Sequence, residues 1–283
     1  MNARLKITIA MILYGTIPLF VRAIPLASAQ VALFRALIAL ACLSAYNGIK
    51  KRPLPLKNLG RELPLLCLSG AAMGFNWIFL FEAYRYTTVS VATLSYYFAP
   101  VIVMATCPLL FHERMTKKQV VCFVAATAGL VLVVNPAGLS EGGDPVRGVL
   151  FGLAAAALYA AVILLNKKIT RASGLDRTLL QFAAAAAVLL PYVLSTGGVD
   201  LSSMTPTGWL CLVILGAAHS GIAYALYFSA LRDLPGQEAA ILSYVDPLVA
   251  VLASLVILRE PATPLQLAGG ALILAFTLAN EIG

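Results

Sequence analysis

The residues of this sequence whose types could do chemistry are isolated polar groups within long apolar stretches. Asp246 lies in the middle of one such stretch, in Ser243-Tyr-Val-Asp-Pro247. A carboxylate in hydrocarbon is costly unless it is paired, hydrated or protonated. We interpret Asp246 either as a carboxylate that carries a proton or binds a cation, or as a structural carboxyl that hydrogen-bonds to neighbouring helices.

Arg35 and Glu82 lie at matching depths in two other apolar stretches. Opposite charges that neutralise each other can both remain in a membrane, so we predict a buried structural pair between them. Two alternatives remain open. Arg35 could form a gate or bind a substrate carboxylate, and Glu82 could take part in ion coupling together with Asp246.

A further set of residues could line a cavity. Amides and hydroxyls inside apolar helices are suited to a wet cavity, and aromatic rings can hold a flat or cationic solute. The predicted cavity residues are Tyr14, Asn76, Trp77, Tyr97, Tyr159, His219 and Tyr244. The alternative for each is ordinary packing, and for the lone His219 it is a hydrogen bond to a nearby carbonyl. Helix breaks that suit gating are predicted at Pro18, Pro100 and Pro247.

The sequence contains no recognisable metal site or catalytic centre. The five cysteines lie in apolar segments, are odd in number and form no C-x-x-C pair. The two histidines are far apart, and neither an H-E-x-x-H motif nor a nucleotide-binding P-loop is present. We therefore predict no metal, no cofactor, no enzymatic activity and no direct use of ATP.

Composition predicts the elements that position these residues. Of the 283 residues, 61% are apolar and 11% are charged, and the mean hydropathy is +0.91. Spans of about 20 residues fit about ten times into this length, which predicts an all-α polytopic membrane protein without a separate soluble domain. The apolar segments are 5–24, 30–49, 63–82, 90–111, 118–135, 147–166, 178–196, 208–228, 238–258 and 264–281.

The positions of the basic residues predict the orientation. The net charge is +8, but Lys and Arg occur in short runs between apolar segments, which argues against a nucleic-acid partner. With the N-terminus in the cytoplasm, Lys and Arg favour the cytoplasmic side by about three to one. We predict a multi-pass protein of the plasma (inner) membrane with both termini cytoplasmic.

The chain also contains an internal repeat. At a shift of 147 residues, Tyr97 coincides with Tyr244 and Pro100 with Pro247, whereas Asp246 coincides with Ala99. The capping boxes Thr116-Lys-Lys-Gln119 and Thr263-Pro-Leu-Gln266 coincide as well. N-caps before proline are expected at Asp144-Pro145 and Thr205-Pro206.

Each repeat contains five spans, so the second repeat must be inverted relative to the first. We predict a first five-helix repeat over 1–136, an outer connecting loop over 137–144 and a second, inverted five-helix repeat over 145–283. Inverted repeats are typical of secondary transporters that alternate between inward-open and outward-open states.

These motifs resemble those of a known family. In its duplicated five-helix units, the chain has Ala83, Pro100 and Glu113, then Ala230, Pro247 and Glu260. It is similar over essentially its whole length to the ten-helix EamA-type members of the drug/metabolite transporter superfamily. The resemblance implies cytoplasmic termini, a central cavity and alternating access, coupled to protons or to solute exchange.

The resulting functional prediction is a secondary active transporter. It would export small metabolites such as amino acids, organic amines or drugs, around a midplane cavity. The alternatives are a passive channel or facilitator for small solutes and an intramembrane enzyme. The predicted partners are a small-molecule substrate, protons and the lipid bilayer, with the protein either a monomer or a homodimer.

Overall fold

The computed structural model describes residues 2–50, 60, 62–111, 116–133, 144–172, 174–231 and 242–281, and only the backbone of 107–111, 228, 231, 280 and 281. Across these residues all regular structure is helical and no strand occurs, which confirms the all-α prediction. Glu113 lies outside the described residues, as does the predicted connecting loop 137–144 apart from Asp144.

The helices follow the apolar segments of the sequence. They are α1 (Ala3–Arg22), α2 (Ser28–Ile49), α3 (Leu63–Tyr86), α4 (Val89–Tyr96), α5 (Ala99–Phe111), α6 (Lys117–Val133), α7 (Pro145–Lys168), α8 (Gly174–Ser195), α9 (Pro206–Ile214), α10 (Ala223–Leu231), α11 (Val245–Leu252) and α12 (Pro264–Glu281). Two π-helical segments, Leu215–Ile222 and Ala253–Ile257, directly follow α9 and α11.

Seven helical segments of the described chain are long and apolar enough to cross a membrane. Their bounds are Ala3–Arg22, Ser28–Ile49, Leu63–Tyr86, Val89–Thr106, Pro145–Lys168, Gly174–Ser195 and Pro206–Tyr227. Val245–Ile257 and Pro264–Ala279 are apolar but shorter. The protein is therefore a multi-pass membrane protein, while the count of ten spans stays a prediction.

Both predicted capping boxes are present. The Thr116 hydroxyl accepts a hydrogen bond from the Gln119 N–H at 3.2 Å, and the Gln119 side chain accepts one from the Thr116 N–H at 2.8 Å. Thr263 and Gln266 make the same reciprocal bonds at 3.2 and 3.0 Å. The same device therefore satisfies backbone donors at the starts of α6 and α12.

The two predicted N-caps are also confirmed. The Asp144 carboxylate accepts a hydrogen bond from the Arg147 N–H at 3.1 Å, and the Thr205 hydroxyl accepts one from the Gly208 N–H at 3.0 Å. Helices α7 and α9 then begin with proline, whose missing N–H would have had no partner in the first turn.

Two helix breaks occur at equivalent positions of the repeat. Helix α4 ends before Tyr97, which has φ −69° and ψ 4°, and α11 begins after Tyr244, which has φ −72° and ψ −8°. Each tyrosine lies three residues before a proline, Pro100 or Pro247, where the proline ring would clash with the carbonyl of a continuing helix. The structure thus has a break just before each of these two prolines, while their part in gating stays a prediction.

Pro18 does not break its helix. Helix α1 continues through Pro18 from Ala3 to Arg22, so the predicted break there is wrong. A single proline removes one backbone hydrogen bond, and the turns on both sides of it can remain helical in a well-packed membrane helix.

The last helices of the two repeats, α6 and α12, cross at two glycines. A Cβ on Gly129 would lie 2.7 Å from the Gly269 carbonyl oxygen, and a Cβ on Gly269 would lie 2.5 Å from the Gly129 carbonyl oxygen. No side chain fits at this crossing, so the two backbones can approach closely, as is common between membrane helices.

Glu62 links the start of α3 by hydrogen bonds to the segment between α7 and α8. Its carboxylate accepts hydrogen bonds from the Thr170 N–H and hydroxyl, both at 3.1 Å, and from the Arg171 N–H at 3.1 Å. Glu62 is 8% exposed. These bonds hold the pKa of Glu62 below its usual value, and the bond from the Thr170 N–H has the largest effect.

We expect Glu62→Gln to lower the melting temperature of the detergent-purified protein by a few degrees at pH 7. Because the folded-state pKa is lowered, the stabilisation is present above the unfolded pKa and disappears as the pH falls through the folded pKa. Thermal unfolding from pH 7 to pH 3 checks this. A difference between variant and wild type that stays constant over this range would contradict the assignment.

Candidate central cavity

A cavity of about 400 Å³ lies between the helices of the two repeats, and a second one of about 310 Å³ adjoins it. The two share a wall of tyrosines and one carboxylate, Asp246. The shared tyrosines are Tyr14, Tyr96, Tyr97, Tyr159, Tyr224 and Tyr227. We call the two volumes together the central cavity.

Asp246 is fixed at this wall by a contact between the repeats. The Tyr97 hydroxyl donates a hydrogen bond of 2.5 Å to its carboxylate. Tyr97 lies at the break between α4 and α5, and Asp246 lies in the first turn of α11, after the break at Tyr244. A Cβ on Gly15 would lie 2.5 Å from the Asp246 carbonyl oxygen, so α1 packs directly against this turn of α11.

Arg35 lines the same cavity and is 4% exposed. Its Nε donates a hydrogen bond of 2.7 Å to the Ser220 hydroxyl, and its guanidinium lies 4.5 Å from the centre of the Trp77 ring and 5.8 Å from that of Phe81. The two rings and the hydroxyl thus hold the guanidinium in place.

The predicted pair between Arg35 and Glu82 is wrong. Glu82 contacts Arg85 at 3.5 Å and does not line the central cavity. The reason is helical geometry. Trp77 and Phe81 are four residues apart and face Arg35 together, whereas Glu82 follows Phe81 by one residue and lies about 100° further around α3. This position also argues against the alternative role of Glu82 in coupling.

The other predicted cavity residues are mostly where we expected them. Asn76 and Trp77 line the larger volume, Tyr244 lines the smaller one, and Tyr14 and Tyr159 line both. The Asn76 amide donates a hydrogen bond of 2.6 Å to the Ala155 carbonyl, so it also joins α3 to α7. The Tyr14 hydroxyl is buried and has no hydrogen-bond partner among the described residues.

His219 is an exception to this agreement. It is 1% exposed, contacts the Thr16 hydroxyl at 3.0 Å and the Ile214 carbonyl at 3.2 Å, and packs against the Phe20 ring. It lies outside the central cavity, so its predicted place there is wrong. The π-helical segment that contains His219 turns it towards α1, where it serves packing.

A cluster of three polar side chains lies at one end of the cavity, which we call the Gln181 end. The Gln181 amide donates hydrogen bonds to Ser69 at 2.6 Å and to Asn166 at 2.8 Å, which joins α8 to α3 and α7. Asn166 and Gln181 line the cavity, as does Arg177. None of these four residues is among the predicted site residues, although a polar residue inside an apolar segment is a usable signal for Gln181.

An ion pair closes the opposite end of the bundle, which we call the Glu260 end. Arg22 pairs with Glu260, and its guanidinium also donates hydrogen bonds of 2.9 Å to the carbonyls of Tyr84 and Thr87. Glu260 in turn accepts hydrogen bonds from the Val89 N–H at 2.7 Å and the Ser254 hydroxyl at 2.5 Å. The ends of α1 and α3 and the start of α4 are therefore joined through one ion pair.

A left-handed residue positions Glu260. Arg259, with φ 52°, ends the π-helical segment and turns the chain so that the Glu260 N–H donates to the Ser254 carbonyl at 3.0 Å. Beyond this network lies a separate cavity of about 630 Å³. Tyr84 lines both this outer cavity and the central one, so it forms part of the partition between them.

The comparisons with known proteins fit this arrangement of paired helix breaks around a central cavity. The sequence model of the EamA-like transporter family matches two stretches of the chain, residues 2–135 and 146–280. The chain belongs to the EamA-like transporter family. This confirms the resemblance seen in the sequence, and it makes the protein a membrane transporter of the drug/metabolite transporter superfamily and not an enzyme.

Similar proteins of this family include transporters from bacteria. This EamA-like transporter is 28% identical to the "Uncharacterized transporter YxxF" of Bacillus subtilis, over 89% of its own length and 80% of the relative's. It is 28% identical to the "Probable amino-acid metabolite efflux pump" of Salmonella typhimurium, over 78% of each chain. A solved crystal structure, 20% identical in sequence, shares the fold with a TM-score of 0.64 over 98% of this chain and 96% of the other.

Proposed function

We propose that this EamA-like transporter is a secondary active exporter of small metabolites, such as amino acids, organic amines or drugs. It would work by alternating access around the central cavity, with ten spans in two inverted repeats and both termini in the cytoplasm. The observation that carries the proposal is the asymmetry of the bundle. The cavity extends to the Gln181 end, whereas the Arg22–Glu260 network crosses the Glu260 end.

The distribution of basic residues supports the direction. Lys167 and Lys168 at the end of α7 are at the Gln181 end, which the excess of Lys and Arg assigns to the cytoplasm. With that orientation the described conformation has its cavity on the cytoplasmic side and its ion pair on the outer side. An exporter would load its solute in such a state.

Coupling to protons is supported by Asp246. This carboxylate lines the cavity, it is absent from the equivalent position Ala99, and its bond to Tyr97 joins the two repeats. A carboxylate at this place can exchange a proton with the cavity. Because it is bonded to the other repeat, its protonation can also be coupled to the relative movement of the two repeats. The buried Tyr14 hydroxyl offers a further hydrogen bond to a bound solute.

A relative supports the class of solute. The relative from Salmonella typhimurium is named as a probable efflux pump for amino-acid metabolites. The volume of the larger part of the central cavity, about 400 Å³, lies within the usual range for pockets that bind small molecules. We therefore place amino acids first among the solutes, ahead of organic amines and drugs.

The test is a binding screen followed by a flux measurement. Detergent-purified protein is first tested for ligand-induced increases of its melting temperature with amino acids, amines, nucleosides and sugar phosphates at two pH values. Each class is then measured for uptake into proteoliposomes with and without a pH gradient. Saturable flux that is accelerated by counter-solute supports a carrier. Conductance far above carrier turnover would indicate a passive channel, and no flux of any class would refute the proposal.

A further inference from the structure

Arg35 is a cation held deep within the helix bundle. It is 4% exposed and belongs to α2, where Ala32, Leu33, Ala36 and Ala39 are all buried. Its Nε hydrogen bond to Ser220 and its position over the Trp77 ring orient the guanidinium at the cavity wall. Such a fixed orientation is what distinguishes a binding group from a side chain that reaches for the membrane surface.

The charge of Arg35 has no counterion in the described part of the protein. No carboxylate there lies within ion-pair distance of its guanidinium, and Glu82 pairs with Arg85 instead. The Trp77 and Phe81 rings stabilise the cation only in part, because a ring quadrupole does not carry a net charge. The two terminal nitrogens make no hydrogen bond with the described residues and remain available to a ligand.

The charges around the cavity indicate what kind of ligand would balance it. Arg35, Arg177 and an ionised Asp246 are the charged residues that line the larger volume, with a formal sum of +1. One negative charge neutralises this set, whereas a phosphate dianion would leave a net charge of −1. A planar carboxylate also matches the paired terminal nitrogens of a guanidinium better than a tetrahedral group does.

We propose that Arg35 binds the carboxylate of the transported solute and thereby selects carboxylate-bearing metabolites over amines. This inference rests on the proposed transport through the central cavity. The neighbouring tyrosine wall then contacts the remainder of the solute, and Ser220 acts as a positioning residue that keeps the guanidinium turned to the cavity.

The experiment compares each of the common L-amino acids with its own carboxamide, which keeps the side chain and ammonium group but lacks the anionic charge. Competition for uptake into proteoliposomes gives the relative affinities. For wild type we expect the carboxamide to be weaker by about tenfold or more, since a bidentate bond between ions is lost. Arg35→Gln should lower the affinity for the amino acid by a similar factor. It should also remove the preference for the amino acid over its carboxamide.

Two further variants make the result specific. Arg35→Lys keeps the charge without the paired nitrogens, so it should restore only part of the affinity. Arg85→Gln removes an arginine whose side chain is 57% exposed outside the central cavity, and it should leave the preference intact. The melting temperature of each variant without solute shows whether it folds, and Arg35→Lys carries the test if Arg35→Gln does not fold.

The outcomes separate this inference from the proposed function. Equal affinity for an amino acid and its carboxamide, or a preference that survives in Arg35→Gln, would overturn the role of Arg35 while transport itself stands. Flux of amines without flux of any carboxylate would do the same. No flux of any solute class would refute the proposed function and this inference together.

Discussion

Asp246→Asn is expected to abolish the acceleration of uptake by a pH gradient while solute exchange continues. The asparagine side chain can still accept the hydrogen bond from the Tyr97 hydroxyl, so the contact between the two repeats is retained. It cannot take up or release a proton in the working pH range. The variant therefore separates proton transfer from the structural role of this side chain.

The measurement uses proteoliposomes with an imposed pH gradient and, separately, with solute on both sides and no gradient. Wild type should accumulate solute under the gradient, and Asp246→Asn should return to the rate without a gradient. Tyr97→Phe is the complementary control, because it removes the hydrogen bond that Asp246→Asn keeps and leaves the carboxylate in place. If wild type and Asp246→Asn respond alike to the gradient, Asp246 is a structural residue.

Glu260→Gln is expected to open the Glu260 end of the bundle. Glutamine keeps the shape of the side chain, but it loses the ion pair to Arg22 and weakens the bonds from Val89 and Ser254. Hydrogen bonds to a charged group contribute roughly 1.5–3 kcal/mol each, so the loss should increase the open population by at least about tenfold.

Access to Thr93 reports this opening, because Thr93 lines the central cavity and is 3% exposed. A Thr93→Cys reporter is placed in a background with the five native cysteines replaced by alanine, and a membrane-impermeant maleimide is added from outside. Glu260→Gln should be labelled about tenfold faster than the parent. Glu82→Gln breaks only the exposed contact to Arg85, so its reporter should be labelled at the same rate as in the parent. Equal rates in the two variants would contradict the closing role of Glu260.

The sequence predicted best those features that depend on neighbouring residues. The capping box of Thr263 and Gln266 and the break before Pro247 follow from interactions within a few positions, and both are present in the structure. The position of Asn76 in the cavity was predictable too, because an amide in a long apolar helix requires a polar environment.

Features that depend on helix rotation and on distant contacts were not predictable in the same way. Depth along the membrane suggested Glu82 as the partner of Arg35, but rotation around α3 separates them. Glu260 directly precedes the capping box of α12 in the sequence, yet its carboxylate accepts the N–H of Val89 at the start of α4. No periodicity in one sequence indicates which end of which helix a carboxylate will reach.

The asymmetry between Asp246 and its repeat equivalent Ala99 limits how much work the protein can do. Among the described residues that line the central cavity, Asp246 is the one carboxylate. If it carries the proton, each transport cycle moves one proton at most. The energy of one proton across one pH unit is about 1.4 kcal/mol, so a pH difference of one unit sustains about a tenfold concentration ratio of an uncharged solute and no more. Steeper solute gradients would require a larger pH difference or a contribution from the membrane potential.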